Sequence, residues 1–576
     1  MDNYHPLNFN TGQKKTTRGR SVLLALLPFW DPLIPPMGIS CLHGFLEKQG
    51  FHVTKADANI EKPFTEIQHR YFELLKQYIP EELRSNFYNI GKEILRNHMM
   101  AHTRYEDKQE YLQLVKLLVL KNFFFEIDNN RAARLSQILD KFYAQLKKYW
   151  LGLLQEVQPE VVGISIFSGT LPASLYAFKL TKEYNPGIRT VMGGGIFADQ
   201  LAQGSPDLEL LVEKSPFIDC FIIGEGELLL LKYLQDELTP GKRVYTLEDI
   251  NGITPEISSL GLPDFSGLDV QYYASLASYS SRSCPIQCSF CSETVQWGKY
   301  RRKSARLVAK ELAALQHQYG SHLFVMSDSL LNPVISPLAR EISRARLSLY
   351  WDGYLRIDKY VCDPQNTLEW RKGGFYRARL GVESGSQSVL DAMNKKITPA
   401  RIKQAIKNLA QAGIKTTTYW IIGYPGETEA DFQQTMALIE ELKNDIYEAE
   451  FNTFRYYTNG QVNSPQWAGK SKRLYPEAFD HLLLFPPRVA DMAPSREETY
   501  QRLNRVHQHC CRLRIPNPYS LHDIYLADER WEKLHPNAVP SLLKLKDSDI
   551  LNNETRQVEN FFPAQDTQKV EGDWGF

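Results

Sequence analysis

Three cysteines, Cys284, Cys288 and Cys291, stand in the stretch SRSCPIQCSFCSET, separated by three and then two residues. Thiolates that close on one loop are what an iron-sulfur cluster takes as ligands. A full cluster shell takes four cysteines, and no fourth lies nearby in the sequence. Three local thiolates therefore leave one iron free for a ligand other than protein, the layout needed where a substrate or cofactor is activated at the metal. Zinc is the competing reading, but it favours a closed tetrahedral shell of paired ligands, and no second pair or His stands at a suitable spacing. A second group, His507, His509, Cys510 and Cys511, is nearly contiguous in a helix-like run. Its side chains would point to different faces, so it is read as accidental.

A cluster loop needs a rigid scaffold, and the sequence offers two. In the first, apolar runs at Val22–Leu27, Phe51–Ala56, Val161–Ile166, Arg189–Met192 and Ile218–Ile223 alternate with helical patterns at 39–49, 172–183 and 225–235. Such alternation predicts right-handed crossovers and a doubly wound parallel sheet, whose ligands sit beyond the carboxyl ends of the strands. Those ends carry Ser168, Gly169 and Thr170, then Gly193, Gly194 and Gly195, then Gly224, Glu225 and Gly226. Glycines there let backbone approach a bulky ligand, and hydroxyls can hydrogen-bond it. Residues 61–154 interrupt this domain with several amphipathic helical stretches, because a structureless loop of that length is improbable.

The second scaffold begins at Tyr272 and contains the cysteines. Strands at 322–326, 348–355, 376–382, 415–422 and 448–454 alternate with helices at 304–318, 399–412 and 429–443. Their ends hold Asp328, Asn332, Arg356, Glu383, Ser384 and the turn Gly423–Glu427. The predicted division is a polar arm 1–20, a first domain 21–240, a linker 241–271, a second domain 272–457 and a mainly helical extension 458–576.

The chain has 67 basic and 67 acidic side chains, so the positive excess of a sequence-independent nucleic-acid binder is lacking. No apolar run approaches the roughly 20 residues of a membrane helix. The N-terminal residues lack a secretory signal's apolar core. The other cysteines, Cys41, Cys220, Cys362, Cys510 and Cys511, are scattered as reduced thiols would be. A cytoplasmic protein is expected.

The spacing CxxxCxxC, with Phe290 before the last cysteine, resembles the radical S-adenosylmethionine (radical SAM) superfamily. LGVESGSQSVLDAMNK and IIGYPGETEADF match its motifs at the fourth and fifth strands. The glycine turns ahead of that signature resemble the cobalamin-binding domain of the B12-dependent branch. The resemblance implies a Rossmann-like cobalamin domain with a helical insertion, followed by a partial (β/α)6 barrel. It implies a [4Fe-4S] cluster on the three cysteines, S-adenosylmethionine met by Arg356, Glu383 and Ser384, cobalamin at the glycine turns, and an external flavodoxin- or ferredoxin-type electron donor. Reductive cleavage would yield a 5′-deoxyadenosyl radical that abstracts hydrogen from an unactivated carbon. C-methylation of a natural product or peptide is the leading expectation. The alternatives are a non-methylating radical enzyme, a tRNA methylthiotransferase, or a cobalamin sensor or carrier without catalysis. One departure is that the DxHxxG motif, whose His ligates cobalt in methionine synthase and the mutases, is missing from PFWDPLIPPMGISCLHG. His43 falls in the following helix, where it is expected at the surface.

Overall fold

The computed structural model describes residues 20–30, 33–198, 201–457, 467–517 and 521–539. Strands β1 (Ser21–Leu26), β2 (His52–Asp57), β3 (Val161–Ser165), β4 (Arg189–Gly193), β5 (Cys220–Ile222) and β6 (Val244–Tyr245) form a parallel sheet in the order β2-β1-β3-β4-β5-β6. Buried on both faces, parallel strands read as continuous apolar runs, and residues 22–26 of β1 are all buried. Strand order reverses beside β1, so the crevice beyond β1 and β3 is the switch point where such sheets bind ligands. The stretch expected as linker contributes the edge strand β6, paired with β5 through Phe221–Val244 and Ile222–Tyr245. A two-residue strand carries no periodic signal, which is why the sequence hid it.

Helix α1 (Met37–Glu47) follows β1, and the insertion forms α2 (Lys62–Tyr78), α3 (Phe87–His102), α4 (Lys108–Phe123) and α5 (Asn129–Val157). In α5 the buried stripe Leu135, Leu139, Phe142, Leu146, Trp150, Leu154 keeps helical spacing. Its Trp150 indole donates to Thr181 Oγ1 at 2.9 Å, fixing the insertion on α6 (Leu171–Tyr184). Two further helices, α7 (Pro206–Lys214) and α8 (Gly226–Leu234), complete the layer. The sequence reading missed α7, a single short amphipathic run capped by Ser205.

The second sheet orders β7 (Leu276–Ser278), β10 (Leu323–Met326), β11 (Tyr350–Leu355), β12 (Phe375–Glu383), β13 (Lys415–Ile422) and β14 (Glu448–Thr453) in parallel as β14-β13-β12-β11-β10-β7. Between β7 and β10 lies a small antiparallel pair, β8 (Ser281–Arg282) and β9 (Arg301–Arg302). Helices Ile335–Arg344 and Pro364–Lys372, unexpected from sequence, complete the alternation. This is the expected open barrel. Helices Arg496–Arg512 and Leu521–Leu534 lie in the C-terminal extension, and Asp528 of the latter pairs with the buried Lys415 of β13 at 2.5 Å. The N-terminal arm and the end of the chain lie outside the described residues.

Candidate functional site

The cysteine loop is tied to the carboxyl ends of three barrel strands. Asp328, past β10, accepts from the Ser280 amide (2.9 Å), the Ser280 hydroxyl (2.6 Å) and the Ser281 hydroxyl (2.5 Å). Burial pushes its carboxyl up, and the two hydroxyls oppose that shift. The Asn394 amide donates to Gln287 O (2.9 Å), the Ser289 amide to Met393 O (3.1 Å), and Ser289 shares a hydrogen bond with the Tyr424 hydroxyl (2.9 Å). The loop is thus held by residues past β10, β12 and β13 before any ligand arrives.

Within it, Cys288 is buried and Cys284 and Cys291 are half-buried. Burial raises Cys284 and pushes Cys291 up to about 12, and the neighbouring thiols add to both shifts. Among the described residues no three His, Cys, Asp or Glu side chains converge as ligands of one metal ion. Three thiols on one loop suit a cluster, where each binds a different iron. Ligation would release their protons.

Arg356 stands next to this loop, its guanidinium 3.7 Å from Cys288 Sγ. Asn332 fixes it by bonding both its amide and its carbonyl at 2.8 Å. Glu383, at the bulged end of β12, has φ 68° and accepts from Lys395 Nζ at 2.7 Å. A Cβ on Gly381 would lie 2.5 Å from that carboxylate and 2.9 Å from Lys395 Nζ, so the LGVE glycine makes room for the pair. The Ser384 hydroxyl is turned away: fully buried, it accepts from the Ser386 amide at 3.1 Å and meets Thr435 Oγ1 at 3.2 Å. Of the three residues expected at the cosubstrate, Arg356 and Glu383 present side chains beside the loop and Ser384 offers only backbone.

A cavity of about 410 Å³ occupies the switch point of the first sheet. Gly193, Gly194, Gly195, Gly224 and Gly226 line it as the sequence suggested, joined by Gly38 of α1. Its far wall is Tyr279, Ser281 and Arg282, just past β7 and in β8. A Cβ on Gly193 would meet nothing nearer than Ile222 O at 3.9 Å, so that position is open to a ligand, whereas one on Gly194 (φ +112°) would strike the Ile166 amide at 2.4 Å. Gly194 therefore serves the fold. An apolar, glycine-walled slot fits a large flat cofactor such as a corrin. No His or Lys is among the described residues that line it. Cys41 does, with its thiol pushed up to about 12 by burial. His43 is buried rather than at the surface, 3.1 Å from Asp264.

The expected contacts at 168–170 take other parts. Ser168 and Gly169 line a second cavity, and Thr170 is buried with its hydroxyl accepting from the Phe167 amide at 3.0 Å. Glu225 lines the first cavity as expected and is also an ion-pair partner: with Glu227 it receives Arg282 (2.6 and 2.5 Å), and it pairs with Arg301. The Arg282 guanidinium lies 5.3 Å from the Tyr279 ring and 5.2 Å from that of Trp297. This clamp joins α8 to the β8–β9 pair two residues ahead of Cys284. Sequence reasoning missed it, although acids at one strand end and the basic residues of SSRSC and YRRK were the available signal. In the C-terminal extension His507 and Cys511 share a face at 3.8 Å, while His509 turns to Glu440 and Cys510 is buried.

The second cavity, about 460 Å³, lies where the insertion, the cysteine loop and the last strands meet. Trp30, stacked on Phe167 at 4.1 Å, borders both cavities. Helix α3 is fastened over it by Asn86 to Phe451 O (2.8 Å), Asn89 to Asn452 (3.1 Å) and a Glu93–Arg455 ion pair.

Residues 278–439 match the radical SAM superfamily. The chain is 26% identical over 318 residues to an anaerobic magnesium-protoporphyrin IX monomethyl ester cyclase of Rubrivivax gelatinosus, covering 50% of this chain and 56% of that one. It is 26% identical over 321 residues to an uncharacterized methyltransferase of Pyrococcus horikoshii, covering 52% and 67%. It thus spans little more than half the length of the first relative. The fold superposes on the radical S-adenosylmethionine methyltransferase TsrM of Kitasatospora setae, solved with cobalamin and a [4Fe-4S] cluster. The TM-score is 0.57 at 15% identity, over 94% of this chain and 99% of that one.

Proposed function

We propose that this chain, which carries a radical SAM domain, is a cobalamin-dependent radical SAM enzyme that methylates an unactivated carbon of a small molecule or peptide. The observation that carries the reading is the shared wall: the cavity of the first sheet is closed by Tyr279, Ser281 and Arg282, the residues leading into the cysteine loop. A flat cofactor in that slot and a cluster on Cys284, Cys288 and Cys291 would be neighbours. When bound, the cluster and S-adenosylmethionine supply a 5′-deoxyadenosyl radical, and cobalamin supplies a methyl group.

The chain's own residues bind, orient and exclude water. Asp328, Asn394 and Ser289 hold the loop, and Arg356 and the Glu383–Lys395 pair offer charged partners to the carboxylate, amine and ribose of the cosubstrate. An external flavodoxin- or ferredoxin-type donor supplies the electron, and the setting is a reducing cytoplasm, in keeping with eight free cysteines. Among the described residues no helix is long and apolar enough to cross a membrane. Anaerobic reconstitution tests the first half: about four irons should bind, and Cys284→Ala, Cys288→Ala and Cys291→Ala together should abolish iron binding and S-adenosylmethionine cleavage. Cleavage by that triple variant would remove the reading.

A further inference from the structure

The cysteine loop enters and leaves its base through residues that also line the slot of the first sheet. Ser281 and Arg282 line it on the incoming side, and Trp297 on the outgoing side. The base is closed in three ways. Strand β8 pairs with β9 through Arg282 and Arg301, the Ser283 hydroxyl donates to Gly298 O at 2.6 Å, and the Arg282 guanidinium lies over the Trp297 ring. Past the last cysteine, Glu293 accepts from the hydroxyl of Ser329, another residue of the slot wall. Among the described residues none from 283 to 294 lines the slot itself, so the loop meets the slot at its base.

Arg282 is the centre of that base. Its partners Glu225 and Glu227 stand at the start of α8, and both line the same slot. All three side chains are less than a tenth exposed, so water cannot stand in for a partner that moves away. A cofactor in the slot would order the side chains of its walls, and a cluster on the three thiols would order the loop whose stems those walls hold. Groups ordered by one ligand need not be ordered again for the other, which makes the two binding events cooperative.

We propose that Arg282 is a positioning residue that couples the two cofactor sites: cobalamin in the slot and the cluster on the cysteine loop each tighten the binding of the other through it. The inference rests on the proposed function for the identity of the two cofactors, and it is read from binding alone, without turnover.

Hydroxocobalamin is titrated anaerobically into the full-length protein with its cluster reconstituted, and into the same protein stripped of iron. The cluster should tighten cobalamin binding about tenfold. Arg282→Met should bring that factor below about threefold. A merely structural role would weaken both titrations alike and leave the factor where it was. Trp297→Leu keeps both ion pairs, gives up the ring contact and should lower the factor likewise; it carries the test alone if melting shows that Arg282→Met does not fold. The second readout is hydrogen exchange in the iron-free protein. Hydroxocobalamin should slow the amides of residues 284–294 in the unsubstituted chain and not in the variant. A factor below about threefold in the unsubstituted protein, a factor that the folded variant leaves unchanged, or loop exchange indifferent to cobalamin overturns the inference. Two cofactors bound with independent affinities remove the coupling and leave the proposed function standing, whereas no cobalamin bound in either form removes both.

Discussion

At the scale of single residues, two adjacent glycines separate architecture from binding. Gly194 has φ +112° and a Cβ there would press on the Ile166 backbone at 2.4 Å, so Gly194→Ala should lower stability by at least the roughly 1–3 kcal/mol of a strained backbone. Thermal melting reads that cost whether or not cobalamin is present. Gly193 faces the slot with free space around its Cβ position, so Gly193→Trp should keep the melting temperature of the cofactor-free protein and lose cobalamin. Retention of cobalamin by that variant would put the cofactor elsewhere. The three cysteines and the glycine turns were legible because their chemistry depends on type and spacing. Glu225 and Ser384 were legible as positions but not as roles, since a side chain at a strand end is taken up by whichever partner the tertiary fold brings, here Arg282 and Arg301 for one and Ser386 and Thr435 for the other.

At the scale of elements, the clamp between α8 and the β8–β9 pair is an ion network with little access to water: side-chain exposure is 9% for Arg282, 1% for Glu225 and 6% for Glu227. Removing one partner of a buried pair leaves a charge uncompensated, typically at about 3–5 kcal/mol. Glu227→Gln should therefore destabilise the fold by that order in urea titration, while the exposed pair Lys179–Glu183 should show under about 0.5 kcal/mol on the same treatment. The insertion holds a second buried network, in which Tyr71 meets His98 Nδ1 (3.0 Å), His98 Nε2 meets Tyr111 (2.8 Å), Tyr111 meets His102 Nδ1 (2.6 Å) and His102 Nε2 meets Asp140 (3.2 Å). Burial lowers the pKa of both histidines from the ordinary 6.5. The unfolded chain then binds more protons than the folded one as pH falls below about 6.5, so stability is lost on acidification. His98→Gln should reduce the slope of stability between pH 6.5 and 5 by up to about 1.4 kcal/mol per pH unit. An unchanged slope would mean that His98 does not titrate on unfolding in that range. The helices of this insertion could be read from their periodicity, but the sequence did not reveal that α3 fastens to β14, because Asn86, Asn89 and Glu93 look like any solvated polar face.

At the scale of the whole molecule, two parallel sheets turn the carboxyl ends of their strands toward common cavities. Alternating strand and helix patterns gave this much from sequence, apart from β6, α7 and two barrel helices. The relation between the sheets was illegible, since it rests on the Arg282 clamp and on the sharing of Trp30, contacts 55 or more residues apart in sequence. That relation also bears on the missing DxHxxG. With no His or Lys among the described residues of the slot, and His43 turned to Asp264, bound cobalamin in its cobalt(II) form should give an electron paramagnetic resonance spectrum that uniform 15N labelling of the protein leaves unchanged. Splitting from a protein nitrogen would contradict the slot described. The central claim, that this architecture couples a radical to methyl transfer, is tested most directly by turnover with methyl-labelled S-adenosylmethionine, flavodoxin as reductant, and cobalamin. The account predicts that 5′-deoxyadenosine and S-adenosylhomocysteine form together, with the label on a carbon of the product. Deoxyadenosine alone, in the presence of the true substrate, would make this a non-methylating radical enzyme and contradict it.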